Sequence, residues 1–600
     1  MSAQAGVFYT DRRPIPLEVV ERIDTALADF GPDGSGSRLE PGLLMLSRAL
    51  HITPEDEREE QPLASPAGRL LTWDGRLDNR DDLLLQFHRD LGIDATDGAL
   101  ALASFERWGV DGFARLIGDW SLALWDAPER RLVLASDYMG VRPLYYRRTA
   151  DHVAWSSSLG ELVLREGVKD DLDDVFVVGF LVGFVPADRT PYLPVRSVTP
   201  AHALSFSAAG ATRHRFYDYP VNTIRYRHQW ECEEHLREVF SQAVGARLRS
   251  TRPVWAELSG GLDSSSVVCM ADLLGRSRAS AKTATAIPPV LHTLSFISNG
   301  SPEVDERRFI AEVERQCLCE SHRLNADEHA SLHDERRQWV TPRHPSEVWL
   351  AGLLHVVSQG GRALLTGQGG DLVMANQVDW SHALVELLRD RQFIAFLTEA
   401  HAWALAAKKP IFHILWRLLI ADSLGSVPRG RFVRNSSIDP RVIPGQNSLA
   451  SLVASGEALH RVLQSDANER RAIDDVPPLQ RQTIAALHRF AVARVMQTPS
   501  DLPGLVLTHP FLDRRLVHSA LAMPQRVLNR PAQTRALMRR AFTDLLPPVV
   551  LHRFSKGYVT PFHQRVALEQ LRGLRTPACD LEVVQRGWVS AEGVRQLSES

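Results

Sequence analysis

Leu258-Ser259-Gly260-Gly261-Leu262-Asp263-Ser264-Ser265 is the most informative stretch of this 600-residue sequence. It follows an apolar run at 254–258 that predicts a buried strand, and it precedes residues 265–274, which predict a helix. Glycines let a backbone approach an anion closely, serines add hydroxyl donors, and a helix N-terminus presents free N–H groups with a favourable dipole. The turn is therefore suited to holding phosphate, although a serine-rich helix cap has a similar composition. It is not a Walker A loop, because no Gly-Lys-Ser/Thr sequence follows the glycines.

The sequence on either side of this turn predicts two kinds of architecture. Beyond residue 217, apolar strands alternate with longer helical stretches, which indicates a parallel sheet covered on both faces. A single hydrophobic core rarely grows past roughly 250 to 300 residues, so a chain of this length is expected to have more than one domain. We therefore predict an α/β protein with domains at 1–218 and 219–600.

The sequence of the first domain predicts strands joined by short turns. Residues 118–126 and 131–136 are apolar runs separated by a turn at 126–129, and the helical signal is restricted mainly to 17–30 and 97–108. Strand-turn-strand chemistry dominates this half of the chain.

A second helical region covers residues 381–424 and is rich in apolar side chains. Lys408-Lys409-Pro410 interrupts it and would break any helix spanning a membrane. Packed helices are favoured here over a membrane-facing or peptide-binding surface.

Composition excludes several classes of protein. The chain is 44% hydrophobic and 24% charged, with a net charge of −3. These values do not indicate the strongly basic surface of a nucleic-acid-binding protein. There is no N-terminal targeting pattern, and no run approaches the roughly 18 to 20 apolar residues of an integral membrane segment. A cytoplasmic location is expected.

Four further motifs follow the serine-glycine turn in order. They are Leu294-Ser295-Phe296-Ile297 with Asp305-Glu306, then Leu364-Leu365-Thr366-Gly367-Gln368-Gly369-Gly370-Asp371, then His509-Pro510-Phe511-Leu512-Asp513-Arg514-Arg515-Leu516, and last Leu546-Pro547-Pro548-Val549-Val550 leading to Arg553-Phe554-Ser555-Lys556-Gly557-Tyr558-Val559-Thr560-Pro561. Together these motifs resemble the asparagine synthetase family of the glutamine-hydrolysing type. That family belongs to the ATP pyrophosphatase (PP-loop) group, which cleaves ATP between its α- and β-phosphates.

The resemblance covers both halves of the chain and implies a fold for each. The first would be a degenerate Ntn-type glutaminase-like αββα domain, and the second an ATP-pyrophosphatase synthetase domain with a parallel sheet and added helices. The implied activity is that of an AMP-forming carbon–nitrogen ligase, which activates a carboxylate by adenylation and couples it to an amine.

The resemblance also implies roles for individual residues. ATP would be bound by Leu258, Ser259, Gly260, Gly261, Asp263, Ser264, Phe296 and Gly367. Asp263 and Asp371 would hold Mg²⁺ on the phosphates, since hard carboxylate oxygens suit that ion. Lys556, one of only five lysines among 69 basic residues, would face the charge that develops in the transition state.

The N-terminal residues depart from the family pattern of a working glutaminase. Ser2 occupies the position of the nucleophilic cysteine, and a hydroxyl is harder to activate than a thiol. Asp74-Gly75-Arg76-Leu77-Asp78-Asn79 replaces Asn-Gly-Glu-Ile-Tyr-Asn, so that a carboxylate stands where an oxyanion needs an amide donor. Phe30-Gly31-Pro32-Asp33 lacks the arginine of Arg-Gly-Pro-Asp. We expect a retained fold without ammonia production.

Two relatives that lack the cysteine take the amine from the substrate and close a ring. In β-lactam synthetases a catalytic tyrosine stands between the two glycines of Thr-Gly-x-Gly, whereas this chain has Gln368, whose neutral amide cannot act as a base. Lasso-peptide macrolactam cyclases are the preferred branch, with a precursor core peptide as substrate and a leader peptidase and a leader-recognition protein as partners. A β-lactam synthetase-like or ammonia-dependent asparagine synthetase activity, or an inactive ATP-binding scaffold, are the alternatives.

Glu347 is a further catalytic candidate, as the base or the amine anchor. An ordinary glutamate at the start of a helix is the competing interpretation.

Overall fold

The computed structural model describes residues 2–220, 223–224, 226–280, 290–299, 305–329, 347–374, 380–389, 391–416, 456–471, 476, 478–492, 502, 504–531, 533–553 and 580–599. The strands are β1 (Ala3–Tyr9), β2 (Gly34–Glu40), β3 (Leu43–Ala49), β4 (Leu63–Ala64), β5 (Leu70–Leu77), β6 (Gly118–Asp126), β7 (Arg131–Ser136), β8 (Tyr145–Arg148), β9 (His152–Ser156), β10 (Arg196–Ser197), β11 (His202–Ser207), β12 (Gly210–Arg215), β13 (Val254–Glu257), β14 (Leu291–Ile297), β15 (Cys319–Asn325), β16 (Ala363–Leu365) and β17 (Val506–Thr508).

The α-helices are α1 (Leu17–Leu27), α2 (Arg80–Leu91), α3 (Asp97–Trp108), α4 (Leu159–Glu166), α5 (Asp174–Leu181), α6 (Gln229–Arg247), α7 (Leu262–Ser280), α8 (Arg307–Gln316), α9 (Glu347–Ser358), α10 (Gly370–Val373), α11 (Trp380–Arg389), α12 (Phe393–Ala406), α13 (Gly456–Arg471), α14 (Pro478–Val492), α15 (Arg514–Ala522), α16 (Gln525–Leu528), α17 (Ala536–Ala541), α18 (Pro548–Leu551), α19 (Glu582–Gln585) and α20 (Ala591–Glu599). Residues 411–416 are also helical.

The N-terminal half is a sandwich of two antiparallel sheets, called the sandwich below. One sheet has the strand order β10-β8-β9-β1-β3-β2 and the other β12-β11-β7-β6-β5-β4. Side chains such as Phe8, Trp125 and Trp155 interdigitate between the facing sheets, and they are at most 3% exposed. Because alternate residues of each strand face inward, the two sheets share one apolar layer.

Helices cover the outer faces of the sandwich, which confirms the expected αββα arrangement. Helices α1 and α4 pack on the first sheet, and α3 with α2 packs on the second. The predicted strands 118–126 and 131–136 and the helix 97–108 have the expected bounds. The predicted helix 17–30 is too long, because it ends at Leu27, shortly before Gly31-Pro32, where proline disfavours helical backbone at the residue before it.

The C-terminal half contains a five-stranded sheet in the order β15-β14-β13-β16-β17, and every pairing in it is parallel. Its apolar residues form separate clusters on the two faces, one beneath α6 and α7 and the other beneath α9. The predicted parallel sheet with helices on both faces is confirmed. Strand β13 ends at Glu257, one residue earlier than predicted.

The sandwich and the parallel-sheet half share a continuous apolar core. A single cluster includes Trp73, Phe113 and Trp120 of the sandwich together with Phe240 and Phe511 of the C-terminal half. The ring centroids of Phe240 and Phe511 are 5.0 Å apart. The two halves are therefore packed against each other as one body.

A buried set of charges crosses the same interface and is called the Arg247 cluster. The Arg247 guanidinium lies 2.9 Å from Asp78, 3.1 Å from Asp513 and 3.4 Å from Asp119. Burial by itself would lower the pKa of Arg247, but Asp78, Asp119 and Asp513 outweigh it and raise that pKa. The guanidinium therefore stays charged and ties α6 to the sandwich.

The predicted helical region 381–424 is helical over its described part. Helices α11 and α12 pack together through Leu384, Phe396 and Ala400, and the chain turns at Lys408, whose φ is +52°. Residues 417–424 lie outside the described residues. Within the described residues, no helix combines the length and the apolar character needed to cross a bilayer.

Candidate active site

The serine-glycine turn joins the carboxyl end of β13 to the first turn of α7. The helix begins at Leu262, so the prediction that it starts at Ser265 was wrong by three residues. Ser265 N–H donates to Gly261 O at 3.0 Å and closes a helical turn. The sequence did not predict this turn, because serine and glycine have low helix propensity. Asp263 consequently lies in the first turn of the helix rather than in a loop.

Two serines hold this turn in shape. Ser264 Oγ accepts from Ser259 N–H at 3.1 Å and lies 3.1 Å from Ser259 Oγ. Gly260 has φ +66°, and a Cβ there would lie 2.7 Å from Phe309 Cβ, so the position requires glycine. These hydrogen bonds and the close contact at Gly260 therefore hold the backbone of the turn in one conformation.

A second glycine-rich turn comes from the neighbouring strand. Strand β16 ends at Leu365, and the chain then passes through Gly367 to α10. A Cβ on Gly367 would lie 2.7 Å from Ser264 N, which means that the two turns touch through their backbones. Strands β13 and β16 are adjacent and parallel, so both turns lie at the carboxyl edge of the sheet, where ligands of α/β proteins bind.

The two predicted magnesium ligands come together at this edge. Arg535 Nη1 lies 2.6 Å from both carboxylate oxygens of Asp263 and 3.2 Å from Asp371 Oδ1. Burial would lower the pKa of Arg535, but Asp263 and Asp371 raise it. Two carboxylates that converge on one cationic group form a donor set suited to Mg²⁺, which is bound in proteins through one or two carboxylates together with substrate phosphates.

Arg535 was not identified from the sequence. It lies 272 residues from Asp263 along the chain, it falls outside the five motifs, and arginine is abundant in this protein. Its φ of +54°, which is uncommon for a residue with a side chain, marks it in the structure.

Arg553 joins the last motif to the serine-glycine turn. It forms a bidentate ion pair with Glu306, donates to Gly260 O at 3.1 Å, and lies 3.9 Å above the Phe309 ring. Lys556, three residues further on, lies outside the described residues, so its predicted role stays a prediction.

The remaining candidates for binding ATP surround the same edge. Leu258 is 1% exposed and its N–H donates to Leu294 O at 2.8 Å, while Phe296 is half-buried against Gly352 of α9. Glu347 is the first residue of α9, as one of the two interpretations expected, and its side chain lies outside the described residues.

The side-chain oxygen of Gln368 is buried at this edge. Among the described residues, nothing donates to Gln368 Oε1, although that oxygen is buried. An unsatisfied buried acceptor is costly and is a feature of sites that are completed by a ligand. The residues present therefore fit a bound nucleotide and its metal ion.

Comparison with known proteins agrees with this geometry. The family model described as asparagine synthase matches residues 235–600. The chain belongs to the asparagine synthase family. Residues 1–217 match the glutamine amidotransferase domain, as expected from the N-terminal sequence.

The sequences of individual relatives are only 21% to 28% identical to this chain. Asparagine synthetase [glutamine-hydrolyzing] 3 of Bacillus subtilis is 28% identical over 264 residues, 42% of each chain. A putative asparagine synthetase of Mycobacterium tuberculosis is 23% identical over 83% of this chain and 76% of its own. Asparagine synthetase [glutamine-hydrolyzing] 1 of B. subtilis is 21% identical over 91% and 84%, respectively. The first of these alignments thus spans less than half of the relative.

The position of the family's nucleophile is held by a hydroxyl that is already engaged. Ser2 Oγ accepts from Leu50 N–H at 3.0 Å and lies 3.5 Å from Leu50 O. Nearby, Asp74 is 2% exposed and 4.0 Å from Arg142. Burial raises the pKa of Asp74, and Arg142 with the chain N-terminus opposes the shift.

Other substituted residues contact the C-terminal half instead of a glutamine. Arg76 donates to Asp78 at 3.0 Å and to Ala246 O of α6, and Asp78 belongs to the Arg247 cluster. In the segment that lacks the family's arginine, the retained Asp33 pairs with Arg362, with an N–O distance of 2.8 Å. The segments that depart from the family pattern therefore contribute to the interface.

Replacing Gly367 is expected to damage nucleotide binding more than folding. In Gly367→Ala the new methyl group would lie 2.7 Å from Ser264 N, so the two turns must separate. We expect ATP to bind about tenfold or more weakly, since a tenfold loss corresponds to only about 1.4 kcal/mol. Calorimetric titration with a non-hydrolysable ATP analogue measures this.

Gly275→Ala is the matched control for this variant. It places the same methyl group in helix α7, where nothing lies within 4 Å of it, and should leave affinity unchanged. Equal affinities in the two variants would show that the two turns do not form the nucleotide site.

Proposed function

We propose that this chain is an ATP-dependent ligase that forms an amide bond by adenylating a carboxylate, and that its substrate is the core of a lasso-peptide precursor. The observation that carries the ligase proposal is the convergence of Asp263 and Asp371 beside two touching glycine-rich turns at the carboxyl edge of the sheet. Membership of the asparagine synthase family supports it.

The proposed reaction has two steps. A carboxylate oxygen of the peptide attacks the α-phosphorus of ATP, the bond to the bridging oxygen breaks, and pyrophosphate leaves. The N-terminal amine of the same peptide then attacks the acyl carbon of the adenylate. AMP leaves with the C–O bonding pair, and the amine loses a proton to a base. The peptide loses one water overall.

The named residues divide this work between binding and charge stabilisation. Backbone N–H groups of Ser259 to Ser264 and the N-terminus of α7 would hold the outer phosphates. Asp263 and Asp371 would hold Mg²⁺, which supplies positive charge to the phosphates when bound. Lys556 would stabilise charge on the departing pyrophosphate, and Glu347 is proposed as the base or amine anchor.

Loss of glutaminase chemistry favours an amine supplied by the substrate itself. Ser2 Oγ is occupied by Leu50, and the altered segments contact the C-terminal half. We propose a domain division at 1–218 and 219–600, with the first domain inactive. A leader peptidase and a leader-recognition protein are the proposed partners.

An apolar surface on the added helices supports a peptide substrate. Among the described residues, Ile394 is 86% exposed, Phe412 69% and Trp416 63%. Large exposed apolar side chains on these helices offer contact area to a peptide. Such a surface suits a folded peptide better than it suits free aspartate.

Reconstitution tests the proposal. The protein, ATP, Mg²⁺, the leader protease and the core peptide should give a product lighter by one water, with AMP and pyrophosphate released in equal amounts. The matched control is a core peptide in which the acceptor Asp or Glu is changed to Asn or Gln, and it should give neither product nor AMP. Free asparagine, formed when aspartate and ammonia are supplied in place of the peptide, would replace the lasso proposal with the ammonia-dependent alternative. Formation of ADP and orthophosphate would contradict adenylation altogether.

A further inference from the structure

A cluster of histidines lies away from the candidate active site. His292 is the second residue of β14, and Glu320 and His322 lie on the neighbouring strand β15. His292 pairs in register with Glu320, so His322 follows two residues later on the same face of the sheet. His292 and Glu320 are near the amino ends of their strands, whereas the candidate active site is at the carboxyl edge.

The side chains of this cluster converge on one point. His292 Nδ1 lies 3.1 Å from His322 Nε2 and 3.5 Å from Glu320 Oε2, and one ligand atom from each of the three residues lies within 4.8 Å of the other two. Ligand atoms about 2.0 to 2.1 Å from a tetrahedral metal are about 3.3 Å apart. The arrangement therefore needs little movement to surround one ion.

The remaining nitrogen of His322 is held by α9. His322 Nδ1 lies 3.1 Å from His355 Nε2, which leaves His322 Nε2 facing His292 and Glu320. Metal-binding imidazoles generally have their second nitrogen engaged in this way, which fixes the ring orientation and the tautomer. His355 therefore acts as a positioning residue for His322.

A tryptophan packs against the imidazole rings of His292 and His322. Trp255 of β13 stacks on His292 with ring centroids 4.7 Å apart, and its centroid lies 4.5 Å from that of His322. Burial lowers the pKa of His292, with Glu320 opposing the shift, and burial with His355 and His292 lowers the pKa of His322.

We propose that His292, His322 and Glu320 form a binding site for a divalent transition metal of the Zn²⁺ type. Two imidazoles and one carboxylate match zinc, and the Glu320 side chain is 64% exposed, so an ion can reach the site from solvent. Magnesium is the wrong ion for this set, since it prefers oxygen ligands in an octahedral arrangement. A metal here would join β14 to β15.

Titration of the untagged, chelator-treated protein with Co²⁺ tests the site. We expect visible d–d absorption that saturates at one ion per chain, is displaced by Zn²⁺, and persists in excess Mg²⁺. Glu320→Gln, which changes an exposed side chain and should fold normally, is expected to bind at least about tenfold more weakly. His322→Gln should lose the signal, and His355→Gln should weaken binding by about 10- to 100-fold.

His88→Gln is the matched control, because His88 lies on α2 of the sandwich, remote from this cluster in the fold. Its Co²⁺ spectrum should equal that of the unaltered protein. Absence of saturable one-to-one binding, or equal affinity of the unaltered protein and His322→Gln, would overturn the proposal. The readout does not require catalysis, so it is independent of the proposed ligase activity.

Discussion

Asp371→Asn is expected to reduce pyrophosphate release from ATP by about 10³-fold, on the scale seen when one preorganised charge-stabilising group is removed. Asp371 and Asp263 share Arg535, and the asparagine amide would halve the negative charge available to a magnesium ion. The fold should persist, because the Asp371 side chain is 46% exposed. Exchange of labelled pyrophosphate into ATP with the peptide present measures the loss.

The control for this experiment is Asp544→Asn. It removes the same charge from an exposed ion pair with Arg237, and surface pairs of this kind contribute at most about 1 kcal/mol. Its exchange rate should match that of the unaltered protein. Undiminished exchange in Asp371→Asn would remove this residue from the metal site.

Arg247→Met is expected to lower the free energy of unfolding by about 3 to 5 kcal/mol, the cost of removing one partner from a buried group of ion pairs. Asp119 would lose its ion pair with Arg247. Asp78 and Asp513, whose side chains are completely buried, would each lose one cation and keep Arg76 and Arg515, respectively. Urea denaturation followed by tryptophan fluorescence measures the change. Adding Asp119→Asn to Arg247→Met should recover part of the loss, because it removes the carboxylate that loses its ion pair with Arg247.

Arg461→Met supplies the comparison on the surface. Arg461 pairs with Glu457 in α13, where both side chains are more than half exposed, and the expected change is within about 0.5 kcal/mol. If Arg247→Met were no more destabilising than Arg461→Met, the Arg247 cluster would not hold the two halves together.

Local patterns predicted the elements of the fold well. Apolar runs between turn residues predicted strands such as β6 and β7, and the alternation of strands with helices predicted the parallel sheet. Helix ends were less predictable, because they depend on hydrogen bonds such as Ser265 N–H to Gly261 O that leave little trace in the composition. The start of α7 shows this.

The candidate site was predictable where it consists of contiguous motifs and unpredictable where distant segments meet. Asp263 and Asp371 came from motifs, and the structure brings them to one guanidinium. Arg535 has no local signal, since what distinguishes it is a contact across 272 residues. The Arg247 cluster was likewise not predicted, because Asp78 and Asp513 lie in motifs but no local signal pairs them with Arg247, which comes from another segment of the chain.

The shared aromatic core has a consequence for engineering. Trp73, Phe113 and Trp120 fill space that Phe240 and Phe511 also border, and the acids that neutralise Arg247 come from both halves. Grafting a working glutaminase in place of the sandwich would therefore fail unless the graft also supplied these rings and carboxylates. The sandwich, which we propose to be catalytically inactive, is in this sense a permanent structural domain, and giving it ammonia chemistry would mean redesigning the junction before the active site.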